Sequence, residues 1–176
     1  METKNYGWNE VVACRPTDIK ITKIAMPFGW MGNMAPQELK YAGMPFLTSE
    51  ALFQWLRFES FENVKKEIVS VASPMAAKMI ARKNRALLGR GDMWDEAESD
   101  IELMRVCLRE KLAQHPYLVP LLVDTGERVI VEDCTARPRE SAAFWGAIRE
   151  GGYWRGRNVL GNLWMDLRAD CRANGK

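Results

Sequence analysis

The chain has 176 residues, 47% of them apolar and 27% charged, which fits one ordinary globular domain with a sizeable core. A net charge of +2 neither demands nucleic acid nor rules it out as a partner. No apolar run approaches the ~20 residues of a membrane span, and the opening Met-Glu-Thr-Lys-Asn-Tyr-Gly-Trp lacks the basic and apolar regions of a secretory signal, so no membrane partner and a cytoplasmic location are expected.

Residues 1–18 are polar and mixed and read as an N-terminal arm; the domain proper is expected over 19–172, with a tail at 173–176. Ile19-Lys20-Ile21-Thr22-Lys23-Ile24 alternates as a strand does. Pro27-Phe28-Gly29-Trp30-Met31-Gly32-Asn33-Met34-Ala35-Pro36 carries too many breakers for a regular element and reads as an apolar loop folded over something. Leu39 to Phe46 suggests two short strands about a Gly turn.

A helix is expected over 49–62, with Thr48 or Ser49 as its cap. Glu50, Gln54 and Arg57 then fall on one stripe by their i,i+4 and i,i+3 spacing. Leu52, Phe53, Trp55, Leu56 and Phe58 fill most of the remaining circumference. A helix apolar nearly all round is buried, so its few polar groups must face a cavity, a partner or each other.

Asn63 to Val71 continues as helix. Ser73-Pro74 is a strong helix start, and the helix to about Leu87 carries Lys78, Arg82, Lys83 and Arg85, a solvated face or a phosphate-holding one. Asp92 is expected to open the longest helix, with Trp94 in its first turn and Ile101, Met104, Leu108 and Leu112 as the core-facing stripe. Pro116 closes it. Tyr117 to Val123 reads as a short helix and Arg128 to Asp133 as a strand; 135–143 reads as loop, and a Gly-rich segment follows over 151–158. Val159 to Arg172 is a final helix. The expected class is α+β, mainly helical, a compact domain with a few short strands.

Cys14, Cys107, Cys134 and Cys171 are far apart in sequence and His115 is the single histidine. No zinc-type cluster is spelled out, and the thiols read as reduced. His115, in Gln-His-Pro, reads as a helix-ending or surface residue.

In this order, the segments resemble the NADAR (YbiA-like) superfamily. The residues that carry the resemblance are Gly32-Asn33-Met34, Thr48-Ser49-Glu50 with Phe53-Gln54, Ser73-Pro74 with Ala77-Lys78, Trp94 with Met104, Leu121-Leu122 with Thr125-Gly126, Val131-Glu132, Trp145-Gly146, and Gly156-Arg157-Asn158-Val159-Leu160-Gly161 with Leu163, Met165 and Arg168. They span about 24–168. The resemblance implies a compact, mainly helical α+β fold and N-glycosidase activity on a ribosylated base. The implied substrates are ADP-ribosyl-guanine in nucleic acid or a ribosylaminopyrimidine phosphate of early riboflavin synthesis; no metal or redox cofactor is implied.

Two departures stand out. Relatives carry lysine where this chain has Arg57, and an Asp shortly before the Trp-Gly, near Ala142, with another in some members at Ala147. Glu132, Glu140 and Glu150 are the acids nearby in sequence. On this footing Glu50 and Arg57 are the candidate catalytic pair. Trp30, Asn33, Met34, Ser49, Gln54, Trp94, Trp145, Gly146, Arg157, Asn158 and Gly161 are the candidate substrate-binding residues: amides for sugar hydroxyls or a base edge, indoles for stacking, and the 156–161 backbone for phosphate. The competing reading is a catalytically weakened module that binds ADP-ribose or an NAD-type nucleotide. A purely structural protein fits a polar stripe on an apolar helix poorly.

Overall fold

The computed structural model describes residues 11–91, 96–137, 141–173 and 175. In chain order the first half holds β1 (Val12–Ala13), β2 (Ile19–Ile21), β3 (Leu39–Tyr41), β4 (Met44–Phe46), α1 (Ser49–Arg57), α2 (Glu62–Ser70) and α3 (Pro74–Lys83). The second half holds α4 (Ser99–Gln114), α5 (Leu118–Val123), β5 (Ile130–Glu132), α6 (Ala142–Trp145), β6 (Ile148–Glu150), β7 (Tyr153–Arg155) and α7 (Val159–Ala173). The class is α+β and mainly helical. The chain clusters into two compact units, residues 33–116 and residues 1–32 with 117–176.

In the 33–116 unit α1 is the central element, with α2, α3, α4 and the β3–β4 hairpin packed on it. That many neighbours explains why its circumference is apolar: Leu52, Phe53 and Phe58 are buried here with Ile68, Ala77, Ala81, Ile101, Met104, Cys107 and Leu108. The hairpin turns through Ala42 and Gly43 at φ 49° and 77°, the left-handed pair that a tight two-residue hairpin turn requires. Thr48 caps α1 by accepting from Ala51 N at 3.3 Å, and Ser73 caps α3 through Ala76 N at 3.0 Å.

The helix expected over 49–62 stops at Arg57; Phe58 leaves helical geometry and a new helix starts at Glu62. Across the break Phe58 packs edge-on to Phe61, ring centres 6.3 Å apart. Asp92 lies outside the described residues, and α4 itself opens at Ser99 with Asp100 and Glu102 in its first turn. His115 ends α4, and its ring Nε2 meets Glu38 O at 2.7 Å.

The other unit is built on a parallel pair, β2 with β5, and an antiparallel sheet in the order β1–β7–β6. Several of its features go beyond the sequence reading. Val12 and Ala13 of the expected arm pair with β7, and Asp18 accepts from Trp154 Nε1 at 2.8 Å, so the arm's second half is part of the sheet and its core. The Gly-rich stretch contains the β6–β7 hairpin, turning at Gly151-Gly152. The loop 27–36 holds a 3-10 turn at Gly29–Met31, and the 135–143 stretch read as loop runs into α6 at Ala142. Among the described residues no helix is long and apolar enough to cross a membrane.

Candidate active site

The polar stripe of α1 is a connected, buried chain of hydrogen bonds and ion pairs. Glu50 is 5% exposed and Gln54 0%. Gln54 Nε2 donates to Glu50 Oε1 at 2.9 Å, and Arg57 Nη1 donates to Gln54 Oε1 at 3.1 Å. The amide is thus oriented from both sides, acceptor toward the guanidinium and donor toward the carboxylate. Beyond the helix, Arg57 Nε meets Asp100 Oδ2 at 3.1 Å, and Arg90 Nη1 meets Asp100 Oδ1 at 2.6 Å. On the other side Lys78 Nζ lies 3.8 Å from Glu50 Oε1. Charges therefore alternate from Lys78 through Glu50, Arg57 and Asp100 to Arg90, the arrangement that lets charge stay buried.

The preceding loop is tied to the same helix start. Asn33 O accepts from Glu50 N at 3.0 Å and from Ser49 Oγ at 3.3 Å. Asn33 Oδ1 is buried and has no hydrogen-bond partner among the described residues, which marks it as an acceptor aimed at something other than the protein. Met34 is half-buried beside it. Burial pushes the thiol of Cys107, on α4, well above its ordinary value, and the Glu50 carboxylate adds to the effect.

The remaining sequence candidates belong to the other unit, and the structure gives several of them packing tasks. Asn158, at φ 51°, bridges two groups on one edge of β5: its Nδ2 donates to Ile130 O at 2.8 Å and its Oδ1 accepts from Glu132 N at 3.0 Å. Gly161 lies so close to that strand that a Cβ would stand 2.2 Å from Ile130 O; at Gly146 it would stand 2.4 Å from Glu132 O. Two N–H groups expected to take phosphate are already used, Arg157 N on Ala143 O and Asn158 N on Gly146 O. The segment spends them on docking against the α6 turn. Trp30 packs edge-on to Trp164 at 5.5 Å, Trp145 to Phe144 at 5.1 Å, and the Arg157 guanidinium lies 4.7 Å from the Phe144 ring centre. Trp94 and Glu140 lie outside the described residues. Glu150 is exposed and paired with Arg155 at 2.7 Å. Ala142 and Ala147 are both buried.

Residues 21–172 match the family model of the NADAR domain. The chain belongs to the NADAR family. It is similar to the E. coli protein YbiA, solved by NMR, with a TM-score of 0.68 and 29% identity over 93% of this chain and 94% of that one. No curated protein matches it.

Within this NADAR domain, two site residues were not singled out by the sequence reading. Asp100 looks like an ordinary first-turn acid, and Arg90 like loop charge between Gly89 and Gly91. Lys78 was read on a solvated or phosphate-holding face, and the structure sets it beside Glu50. The signal that finds all three partners is that α1 buries a carboxylate and a guanidinium, which obliges partners elsewhere in the chain. A separate apolar cleft of about 560 Å³ lies between the β3–β4 hairpin and the α2–α3 turn, lined by Leu39, Phe46, Leu47, Ile68 and Val71. None of the stripe's side chains lines it.

Proposed function

We propose that this NADAR domain is an N-glycosidase that hydrolyses the bond between a ribose-type sugar and a nitrogenous base. The observation that carries the reading is the buried Glu50 carboxylate, oriented by Gln54 and flanked by Lys78. Cleaving such a bond develops positive charge at the anomeric carbon and negative charge on the departing base. A fixed carboxylate beside the sugar stabilises the cation and directs a water to it. Among the described residues, Gln54 and Lys78 both meet Glu50 at Oε1, and Oε2 is the oxygen we assign to the sugar carbon or the water. The unpartnered Oδ1 of Asn33 suits a ribose hydroxyl or an N–H on the base edge. The substrate classes that fit are ADP-ribosyl-guanine, free or in DNA, and a ribosylaminopyrimidine phosphate.

One observation favours the second reading, a nucleotide-binding module with weakened catalysis. Arg57 is held by Gln54 and Asp100, and a guanidinium does not act as an amine nucleophile or give up a proton at ordinary pH. The two readings separate on incubation with an oligonucleotide carrying ADP-ribosylated guanine and, separately, with an aminopyrimidine ribosyl phosphate. Release of free base from either is the expected result. Thermal stabilisation by ADP-ribose with no release from both substrates would leave the binding module standing instead.

A further inference from the structure

The stripe contains one group able to carry positive charge and also donate a proton. Arg57 is anchored and does not deprotonate; Gln54 is neutral. Lys78 has an ammonium with three donors on a flexible four-carbon stem. It stands on the second turn of α3, beside the buried Ala77, Ile80 and Ala81. Its side chain is 24% exposed against 6% for Glu50, so of the two partners the ammonium is the one at the aqueous edge. That places a proton donor on the solvent side of the buried carboxylate.

Resting on the glycosidase reading, we infer that Lys78 is the general acid of the reaction and protonates the departing base. As the bond between the anomeric carbon and the base nitrogen breaks, its electron pair goes to that nitrogen, which takes a proton from the Lys78 ammonium. Water attacks the anomeric carbon and gives its proton to the Glu50 carboxylate. The products are the free sugar and the neutral base; the enzyme is left with a protonated Glu50 and a neutral Lys78 amine. Their 3.8 Å separation lets the proton return from carboxyl to amine, directly as the stem moves or through one water. That restores the starting state with no other reactant. The contact is then the step that resets the site, in addition to compensating a buried charge.

The test uses the full chain and an oligonucleotide carrying one ADP-ribosylated guanine. Lys78→Ala is expected to lower kcat by about 100-fold or more, the usual weight of a general acid, with KM changed far less. Added propylammonium is expected to restore part of kcat in Lys78→Ala while leaving the wild type unaffected. Lys78→Arg is expected to stay slow, because it keeps the charge and loses the transferable proton. A melting curve for each variant checks the fold and separates a loss of stability from a loss of chemistry. The assignment is overturned if Lys78→Ala releases guanine at close to the wild-type rate, if Lys78→Arg retains full kcat, or if the loss is confined to KM and propylammonium restores nothing. Those outcomes leave the glycosidase reading intact as long as the wild type releases base. No release by the wild type removes both.

Discussion

Asp100→Ala should unfold this protein far below the temperature at which the wild type melts. The carboxylate has 0% side-chain exposure and joins two cations, Arg57 at 3.1 Å and Arg90 at 2.6 Å. Removing it leaves the Arg57 guanidinium, itself 0% exposed, with the Gln54 amide but without the carboxylate that balances its charge. Breaking a buried pair by removing one partner costs roughly 3–5 kcal/mol, which for a chain of this size is on the order of 10 °C in Tm. Arg90→Ala is the milder change, since Arg90 has 22% side-chain exposure and water replaces part of what it loses. Replacing both members of the deepest pair, Arg57→Met with Asp100→Leu, should recover much of the loss, because no charge is then left buried alone. Differential scanning calorimetry of the three variants checks the ordering. An Asp100→Ala protein as stable as wild type would show that the stripe is not held as described.

Lys111 gives the second large effect, and it depends on pH. Lys111 is 0% exposed on α4, and burial lowers its pKa from 10.5 to about 7. Below about pH 7 the lysine is protonated both folded and unfolded, and the folded state bears the whole cost of the buried charge. Between about 7 and 10.5 the unfolded chain still holds a proton that the folded one has shed, so stability rises with pH. Above 10.5 the contribution is complete. The gap between the two values corresponds to roughly 4–5 kcal/mol. Lys111→Met keeps the volume and removes the charge. It should therefore be more stable than wild type at pH 6 by several kcal/mol, with the difference closing toward pH 10. Urea titrations at pH 6, 8 and 10 measure this; an equal difference at all three would mean that Lys111 is not a buried titrating amine.

Legibility in the sequence followed the range of the interaction. Helix caps, the alternation of Ile19 to Ile21 and the stripe on α1 are local patterns, and the structure places Thr48, Ser73, Glu50, Gln54 and Arg57 in those roles. The partners of that stripe were not readable, because Asp100 and Lys78 reach it from other helices and no spacing encodes the meeting. The Asn158–Gly161 segment misleads for the opposite reason. An Asn and a Gly at a helix start suggest anion binding, and here the same two residues clamp a helix start against β5, which only the fold makes evident. The two-residue strand β1 is set by pairing with β7 across the chain, which no local pattern announces.

The central claim is that the Glu50 carboxylate works on a glycosidic bond. The most direct measurement is release of free guanine from an ADP-ribosylated oligonucleotide, or of free base from the ribosylaminopyrimidine phosphate, by wild type and Glu50→Gln side by side. Their folding is matched first by melting temperature. Glu50→Gln keeps the shape of the side chain and an oxygen for Gln54, and the Lys78 contact it weakens is partly exposed, so the two should melt alike. The expected result is release by the wild type and a rate lower by about 100-fold or more in Glu50→Gln, the scale of a positioned carboxylate. Equal rates from equally folded proteins would contradict the account.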